Sequence, residues 1–597
     1  MIILIAIVKL PLRKTKIVCT IGPASDDFEI MKRLLQSGMN VARLNFAHGS
    51  HEEHRERVER LRRAGQETGL PVAILSDIKG PEIRTGTVPG GGTVVIPTGG
   101  RITVTTQPEP VTPQRLSLSH RTLHREVSPG IRILIADGLI DLEVESVTGT
   151  DIVCLVKNGG EIGSHKNVNV LGVRTTLPAI TEKDVKDIIW SIDNKVDFIA
   201  ASFIRRPENV REIRGLIGVA DASISIIAKI EDREGLENID EIIRVADGVM
   251  VARGDLGVQV SPPEIPLAQK RIIRKCNAAN KPVITATQML DSMIKNPLPT
   301  RAEATDVANA VFDGTDAVML SGETAAGLYP VRAVSMMHRI ALETEMSEEY
   351  RTRRREAFGF TERRSMADAV AGAAFMTAND IGARAILTPT LHGHTPQIVS
   401  RYRPEQPVIA VTPHESVRRR LLLFWGVEPV ISKMASDSDT MLENAINAAE
   451  KAGHIHPFDK VVILAGIPVD SPIMLNTVRV HLHCRVLAKS KRGYGGRTAG
   501  RIVKAADLAD AERRVTGSGD EILLTRYIDP NFYPVLEKIK GYVLEEFSAM
   551  SYREIAEHNP HIVALAGTHN AMSVLADGQE VTIDGEEKLV YEGKAGE

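Results

Sequence analysis

The chain has 597 residues, 43% of them hydrophobic and 25% charged, a globular balance with material for about four domains of roughly 150 residues each. Its 73 basic and 76 acidic side chains leave a net charge of −3, so no global basic field draws it to nucleic acid or an anionic membrane. Aromatics make up 4%, too few for base stacking to be the main task, and four scattered cysteines form no CxxC pair; a disulfide scaffold or cysteine-rich zinc module is excluded, and a reducing cytoplasm fits.

Met1 to Val8 is wholly apolar but falls far short of the roughly 20 residues that span a bilayer. With no charge before it and no cleavage site after it, the octet reads as an extra strand or frayed extension. From Lys16 onward, apolar β-branched runs alternate with amphipathic helices. The predicted strands are 16–22, 41–46, 71–79, 197–205, 225–231, 248–255, 282–290 and 317–324. Buried parallel strands read this way, and eight of them close a barrel. Helix starts are marked at Thr181-Glu-Lys-Asp184 and at Thr300-Arg-Ala-Glu303, the latter a capping box.

The third and fourth runs lie too far apart for one helix. Residues 81–178 instead show short alternating stretches such as Ile140-Asp-Leu-Glu-Val-Glu145, which predicts an inserted β-rich lid. The barrel is thus expected over 1–80 and 179–345. A second alternation, with strands at 385–389, 407–411 and 460–464, predicts an open α/β domain over 346–487. Lys489-Ser-Lys-Arg-Gly-Tyr-Gly-Gly-Arg497 reads as a basic, glycine-rich linker. Residues 497–597 suffice for one more small domain.

Chemistry gathers at the predicted strand ends. Lys229 and Glu231 stand two apart on one strand and share a face, at the rim where parallel barrels work. The next strand ends in Val251-Ala-Arg-Gly-Asp255. Two carboxylates beside a lysine suit a hard cation facing an anion, and magnesium fits because no His or Cys cluster competes for a softer metal. Thr287 and Ser321 end the following strands; either alone would read as a helix cap. Arg43 and Asn45 share a face, and Asp77-Ile-Lys-Gly-Pro-Glu-Ile-Arg84 lies where the lid leaves the barrel. A lysine, several arginines, paired carboxylates, the Gly254 and Asp255 amides and a closing lid are the parts of phosphoryl transfer. No Walker-type loop is present.

Thr15-Lys-Ile-Val-Cys-Thr-Ile-Gly-Pro-Ala-Ser25, Met39-Asn-Val-Ala-Arg-Leu-Asn-Phe46, Lys79-Gly-Pro-Glu-Ile-Arg-Thr-Gly86, Ala228-Lys-Ile-Glu231, Ala252-Arg-Gly-Asp-Leu-Gly257 and Met319-Leu-Ser-Gly-Glu-Thr324 closely resemble the pyruvate kinases. The resemblance runs from about Thr15 to Cys484. It implies a (β/α)8 TIM barrel with an inserted small β-barrel, and phosphoryl transfer from phosphoenolpyruvate to ADP, giving pyruvate and ATP. By matching position, Lys229 would neutralise the transferring phosphoryl group and Arg43 would contact it. Glu231 and Asp255 would hold magnesium, with manganese as an alternative, while the Gly254 and Asp255 amides would take the substrate carboxylate. Thr287 would lie against the enolate, Ser321 would belong to the proton-delivery network, and Asn45, Arg84 and Lys166 would contact the nucleotide.

The likeness also implies a potassium site of Asn45, Asp77, the Ile78 carbonyl and a serine, but Ala47 stands at the serine position. A retained and weakened potassium requirement is therefore expected. Thr390-Leu-His-Gly-His-Thr-Pro-Gln397 replaces a hydroxyl-rich loop that binds sugar phosphates in the family. His392, His394 and Gln397 are the departures: either a sugar-phosphate or nucleotide effector binds there, more tightly with those histidines protonated, or the loop takes no ligand. A homotetramer is implied.

The tail from about Arg497 resembles the extra C-terminal domain of some bacterial members, itself similar to phosphohistidine swivelling domains. Ile522-Leu-Leu-Thr-Arg-Tyr-Ile-Asp-Pro530 and Asp577-Gly-Gln-Glu-Val-Thr-Ile-Asp-Gly585 carry that likeness. Tyr552 stands where the phosphorylated histidine would be, so a structural or interface role is expected rather than a phosphocarrier. Two alternatives are a magnesium-dependent aldolase barrel, opposed by Arg84 and Lys166, and a silent regulatory relative, opposed by the intact charge cluster.

Overall fold

A computed structural model of the chain describes residues 12–173, 176–220, 223–358, 365–469 and 475–595. The apolar octet lies outside them. Eight parallel strands, Lys16–Ile21, Val41–Asn45, Ala73–Ile78, Phe198–Ala201, Ser225–Ile230, Gly248–Ala252, Val283–Ala286 and Ala317–Leu320, close into a barrel in which each pairs with its neighbours in sequence. All eight coincide with predicted runs.

Side-chain parity divides two cores. Ile17, Cys19 and Ile21 face the surrounding helices, whereas Val18, Leu75, Phe198, Ile227, Met250, Ile284 and Met319 fill the barrel interior. Leu422 and Leu423 join that interior cluster. Since strand side chains alternate, the inward parity running through Ile227 passes to Lys229 and Glu231. The same rule carries Leu75 to Asp77, Val41 to Arg43, and Met319 to Ser321.

The predicted runs overshoot the strands at the C-terminal rim. Past Ala252 the helix Arg253–Gln259 begins, and past Leu320 the short helix Gly322–Ala325. Beyond Ala286 and Ala201 the chain turns left-handed, with φ of 66° at Thr287, 54° at Gln288 and 55° at Phe203. Rim residues leave the ladder, which frees their polar groups to face inward.

The capping box at Thr300 with Glu303 forms as expected, and the helix start at Thr181 proves to be a second box, closed by Asp184. Asp184 does more: its carboxylate also accepts the Gly80 amide at 3.0 Å, fastening together the two stalks of the lid. Gly80 is left-handed (φ 71°) and a Cβ there would meet Ser202 O at 2.9 Å, so only glycine fits this junction. The lid itself holds a seven-stranded sheet and a two-stranded one over a core that includes Ile102, Val104, Ile133, Leu142 and Ile152.

Strands Ala385–Pro389, Val408–Thr412 and Lys460–Ala465 belong to a five-stranded sheet, with two that the sequence reading missed, Val427–Ile431 and Thr477–Leu482. Both are edge strands, where Pro429 is tolerated and polar residues such as Arg479 meet solvent.

Two compact units divide the chain, and the second includes Val478–Glu597. There the expected linker is not a linker. Val486–Lys489, Arg492–Tyr494 and Arg497–Lys504 are strands of an eight-stranded sheet, pairing with Leu589–Glu592, Val563–Ala566 and Glu580–Asp584 respectively. Its glycines serve close approach: a Cβ at Gly493 would stand 2.0 Å from Gly585 O. Tyr552 stacks on Tyr494 with centroids 5.5 Å apart and rings 9° from parallel.

Candidate active site at the barrel rim

Lys229 is 8% exposed and its Nζ donates to Ser202 Oγ at 2.6 Å and to Asp77 Oδ1 at 3.1 Å, with Glu231 Oε1 2.9 Å away. Burial lowers its pKa, yet Asp77 and Glu231 outweigh burial and hold it above the ordinary lysine value. The amine therefore stays charged in a dry setting. Asp77 answers on two sides. Its Oδ2 accepts Arg43 Nε at 2.7 Å, and although burial favours its neutral form, Arg43 and Lys229 keep it ionised. Arg43 also donates to Thr20 Oγ1 at 2.9 Å.

Glu231 is pushed up to about 7, first by burial and then by neighbouring Asp255, against Lys229 and the Phe203 amide that it accepts at 2.6 Å. Asp255 is raised by burial as well, with Asp137, Asp77 and Glu82 adding to the effect and Lys229 opposing it. Two buried carboxylates with raised pKa values, one of them raised in part by the other, are an oxygen site lacking positive charge. A hard divalent cation supplies it and leaves coordination positions for substrate oxygens. The pair suits a hard divalent cation; among the described residues no group of three or more His, Cys, Asp or Glu side chains is set for a metal.

Thr287 Oγ1 donates to Ala286 O at 2.6 Å and accepts the Gly254 amide at 2.8 Å. That amide, expected to receive a carboxylate, is thus engaged by the threonine. Ser321 Oγ is buried with no hydrogen-bond partner, a donor in reserve at the same rim. Asn45 Oδ1 accepts the Ala47 amide at 3.1 Å, and the Ile78 carbonyl accepts Ser202 Oγ at 2.8 Å. In the lid, Arg84 and Lys166 come together because Arg84 pairs with Asn167 across the sheet. Arg84 bonds Glu82 Oε2 at 2.8 Å and His165 O at 2.7 Å, while Lys166 is exposed.

Four contributors escaped the sequence reading. Ser202 bridges Lys229 to Ile78, and Thr20 supports Arg43. Arg253 clamps Thr287. Asp137 lies in the Ala136-Asp137-Gly138 turn, where all three φ angles are positive; its Asp-Gly pair is a turn signal visible in the sequence.

The barrel residues 12–334 match the family model "Pyruvate kinase, barrel domain", and 368–481 match "Pyruvate kinase, alpha/beta domain". The chain belongs to the pyruvate kinase family. Residues 517–588 further match "PEP-utilising enzyme, mobile domain". A pyruvate kinase of Geobacillus stearothermophilus is 48% identical over 591 residues, covering 98% of this chain and 99% of that protein. One from Sporosarcina psychrophila is 46% identical over 595 residues, covering 98% and 100%. Among solved structures, a pyruvate kinase from Cryptosporidium parvum superposes with a TM-score of 0.75 at 39% identity, covering 79% of this chain and 96% of that one. The protein is therefore a metal-dependent phosphotransferase of the pyruvate kinase type, and no described helix is long and apolar enough to cross a membrane.

Proposed function

We propose that the chain transfers the phosphoryl group of phosphoenolpyruvate to ADP, giving pyruvate and ATP at the barrel rim. The observation that carries this reading is the buried, permanently charged Lys229 held by Asp77, Ser202 and Glu231. Phosphoryl transfer is limited by positioning and charge neutralisation. Lys229 and Arg43 flank the migrating group as the bond from phosphorus to the enol oxygen breaks and the bond to the ADP β-phosphate oxygen forms. Thr287 lies against the enolate that remains, and Ser321 belongs to the path that delivers a proton to its methylene carbon. Arg84 and Lys166 in the lid, with Asn45 on the barrel, hold the nucleotide.

Glu231 and Asp255 would hold magnesium, or manganese in its place, and the bound cation neutralises substrate oxygens. Three potassium donors remain in Asn45, Asp77 and the Ile78 carbonyl. The fourth is lost at Ala47, which leaves a weakened requirement. The catalytic unit is a homotetramer in the cytoplasm.

A cavity of about 390 Å³ includes Thr390, His392, His394, Lys433, Met434, Met441 and Val469 in its walls. Burial, then His392, Arg420 and Lys281, hold His394 below the ordinary histidine value, so protonation of that ring adds less than its position suggested. Leu391, Val411, Met434, Met441 and Val469 give an apolar wall, which favours a nucleotide over a sugar phosphate as effector. In the tail, stacked Tyr552 supports a structural role. A lactate dehydrogenase-coupled assay with phosphoenolpyruvate, ADP and magnesium tests the central reading; absence of pyruvate formation would overturn it.

A further inference from the structure

The lid touches the barrel through a bond that none of the roles above uses. Gln259 Nε2 donates to Asn169 Oδ1 at 2.8 Å. Gln259 ends the helix Arg253–Gln259, and Asn169 lies in the lid strand Asn167–Val170. Both side chains, with Asn167 and Asp255, line a crevice of about 160 Å³ between lid and barrel.

Spacing gives the bond its meaning. Asp255 and Gln259 are four residues apart, so they share one helix face about 6 Å from each other along the axis. Lys166 stands just before the lid strand, three residues and at most roughly 10 Å of chain from Asn169. Arg84 is joined to the same strand by its pairing with Asn167. One rigid helix thus carries a metal carboxylate at its start and the lid contact at its end. The lid strand that makes the contact is preceded directly by Lys166 and paired at Asn167 with Arg84 of the neighbouring strand Ile83–Arg84.

From this we infer that Gln259 is a positioning residue: through Asn169 it registers the lid strand flanked by Lys166 and Arg84 on the helix that bears Asp255, fixing the distance between the ADP phosphates and the transferring group. The inference rests on the reaction assigned above. Without the bond the lid still closes, since Gly80 and Asp184 hold its stalks, but in an inexact register. A misplacement near 1 Å at the reacting atoms costs on the order of 10²-fold in rate, so a partial loss of register costs less.

Gln259→Ala, Asn169→Ala, the double variant and Gln259→Glu test this in the full-length enzyme, with steady-state kinetics for both substrates and calorimetric titration of phosphoenolpyruvate with magnesium. Each alanine variant is expected to raise KM for ADP and lower kcat, about tenfold in kcat/KM combined, and the double variant no further. Phosphoenolpyruvate affinity without nucleotide stays within twofold. Gln259→Glu retains activity within threefold, because the Asn169 amide can turn and donate to a carboxylate. Alanine variants within twofold of the parent would overturn the proposal. So would a matching loss of phosphoenolpyruvate affinity, additive single effects, or a Gln259→Glu variant as impaired as Gln259→Ala. A parent enzyme that forms no pyruvate would instead overturn the reaction itself.

Discussion

Arg253 donates to the carbonyl of Thr287 at 2.7 Å, and Thr287 sits in the left-handed region with φ of 66°. Two successive non-glycine residues in that region cost about 1–3 kcal/mol each. Arg253 holds them by further bonds to Ala286 O and Gln288 O at 3.3 Å, while Asp306 fixes its guanidinium at 2.6 and 2.8 Å. Thr287 Oγ1 is thereby kept in place at the Gly254 amide.

Arg253→Lys should therefore lower kcat by about 10²-fold, since an ammonium cannot span three carbonyls and a carboxylate at once. Thermal melting should fall by only a few degrees. A variant with kcat within threefold of the parent would show that Thr287 holds its place unaided.

Ala47→Ser restores a hydroxyl beside Asn45, whose Oδ1 lies 3.1 Å from the residue 47 amide. The potassium concentration giving half-maximal rate should fall severalfold, with little change in rate at saturating potassium. An unchanged titration curve would mean that residue 47 does not reach the cation.

His338 accepts Arg13 Nε on Nδ1 at 3.3 Å and leaves Nε2 unpartnered. Burial, and then the Arg13 charge, depress it to about 4. In the unfolded chain histidine titrates near 6.5. As pH falls below that value the unfolded state binds a proton that the fold refuses until about pH 4, so the fold loses stability across this window. The melting temperature of His338→Gln should fall less between pH 7 and pH 4.5 than that of the parent. An identical pH slope in both would exclude this histidine as a source of the loss.

Gly493→Ala should open the tail sheet, because the added Cβ would fall 2.0 Å from the backbone oxygen of Gly585 and 2.9 Å from its carbonyl carbon. Amide exchange in 492–494 and 564–566 should accelerate by at least tenfold, while barrel amides remain protected. Unchanged exchange would mean that the two chains can part without cost.

The barrel was legible because its strands are buried on both faces, so runs such as Ile17-Val-Cys19 and Ile226-Ile-Ala228 read as continuous apolar stretches. The site residues were legible where parity and strand ends coincide, as at Lys229, Glu231 and Ser321. What stayed hidden depends on distant pairing. Ser202 and Arg253 look like any polar residue until the closed sheet brings Ser202 to Lys229 and Arg253 to Thr287. Composition misled at 489–497: glycine there signals flexibility or close approach equally, and only Gly585 across the sheet decides between them. The two missed edge strands failed for the same reason, since an edge tolerates Pro429 and Arg479 where a central strand would not.

The most direct test is Lys229→Met in the full-length enzyme, measured by pyruvate formation from phosphoenolpyruvate and ADP with saturating magnesium and potassium. Removal of a buried, permanently charged amine from the transferring group should cost at least about 10³-fold in kcat, while phosphoenolpyruvate still binds. A variant that keeps its rate within tenfold of the parent would contradict the role of Lys229 as the charge that carries phosphoryl transfer.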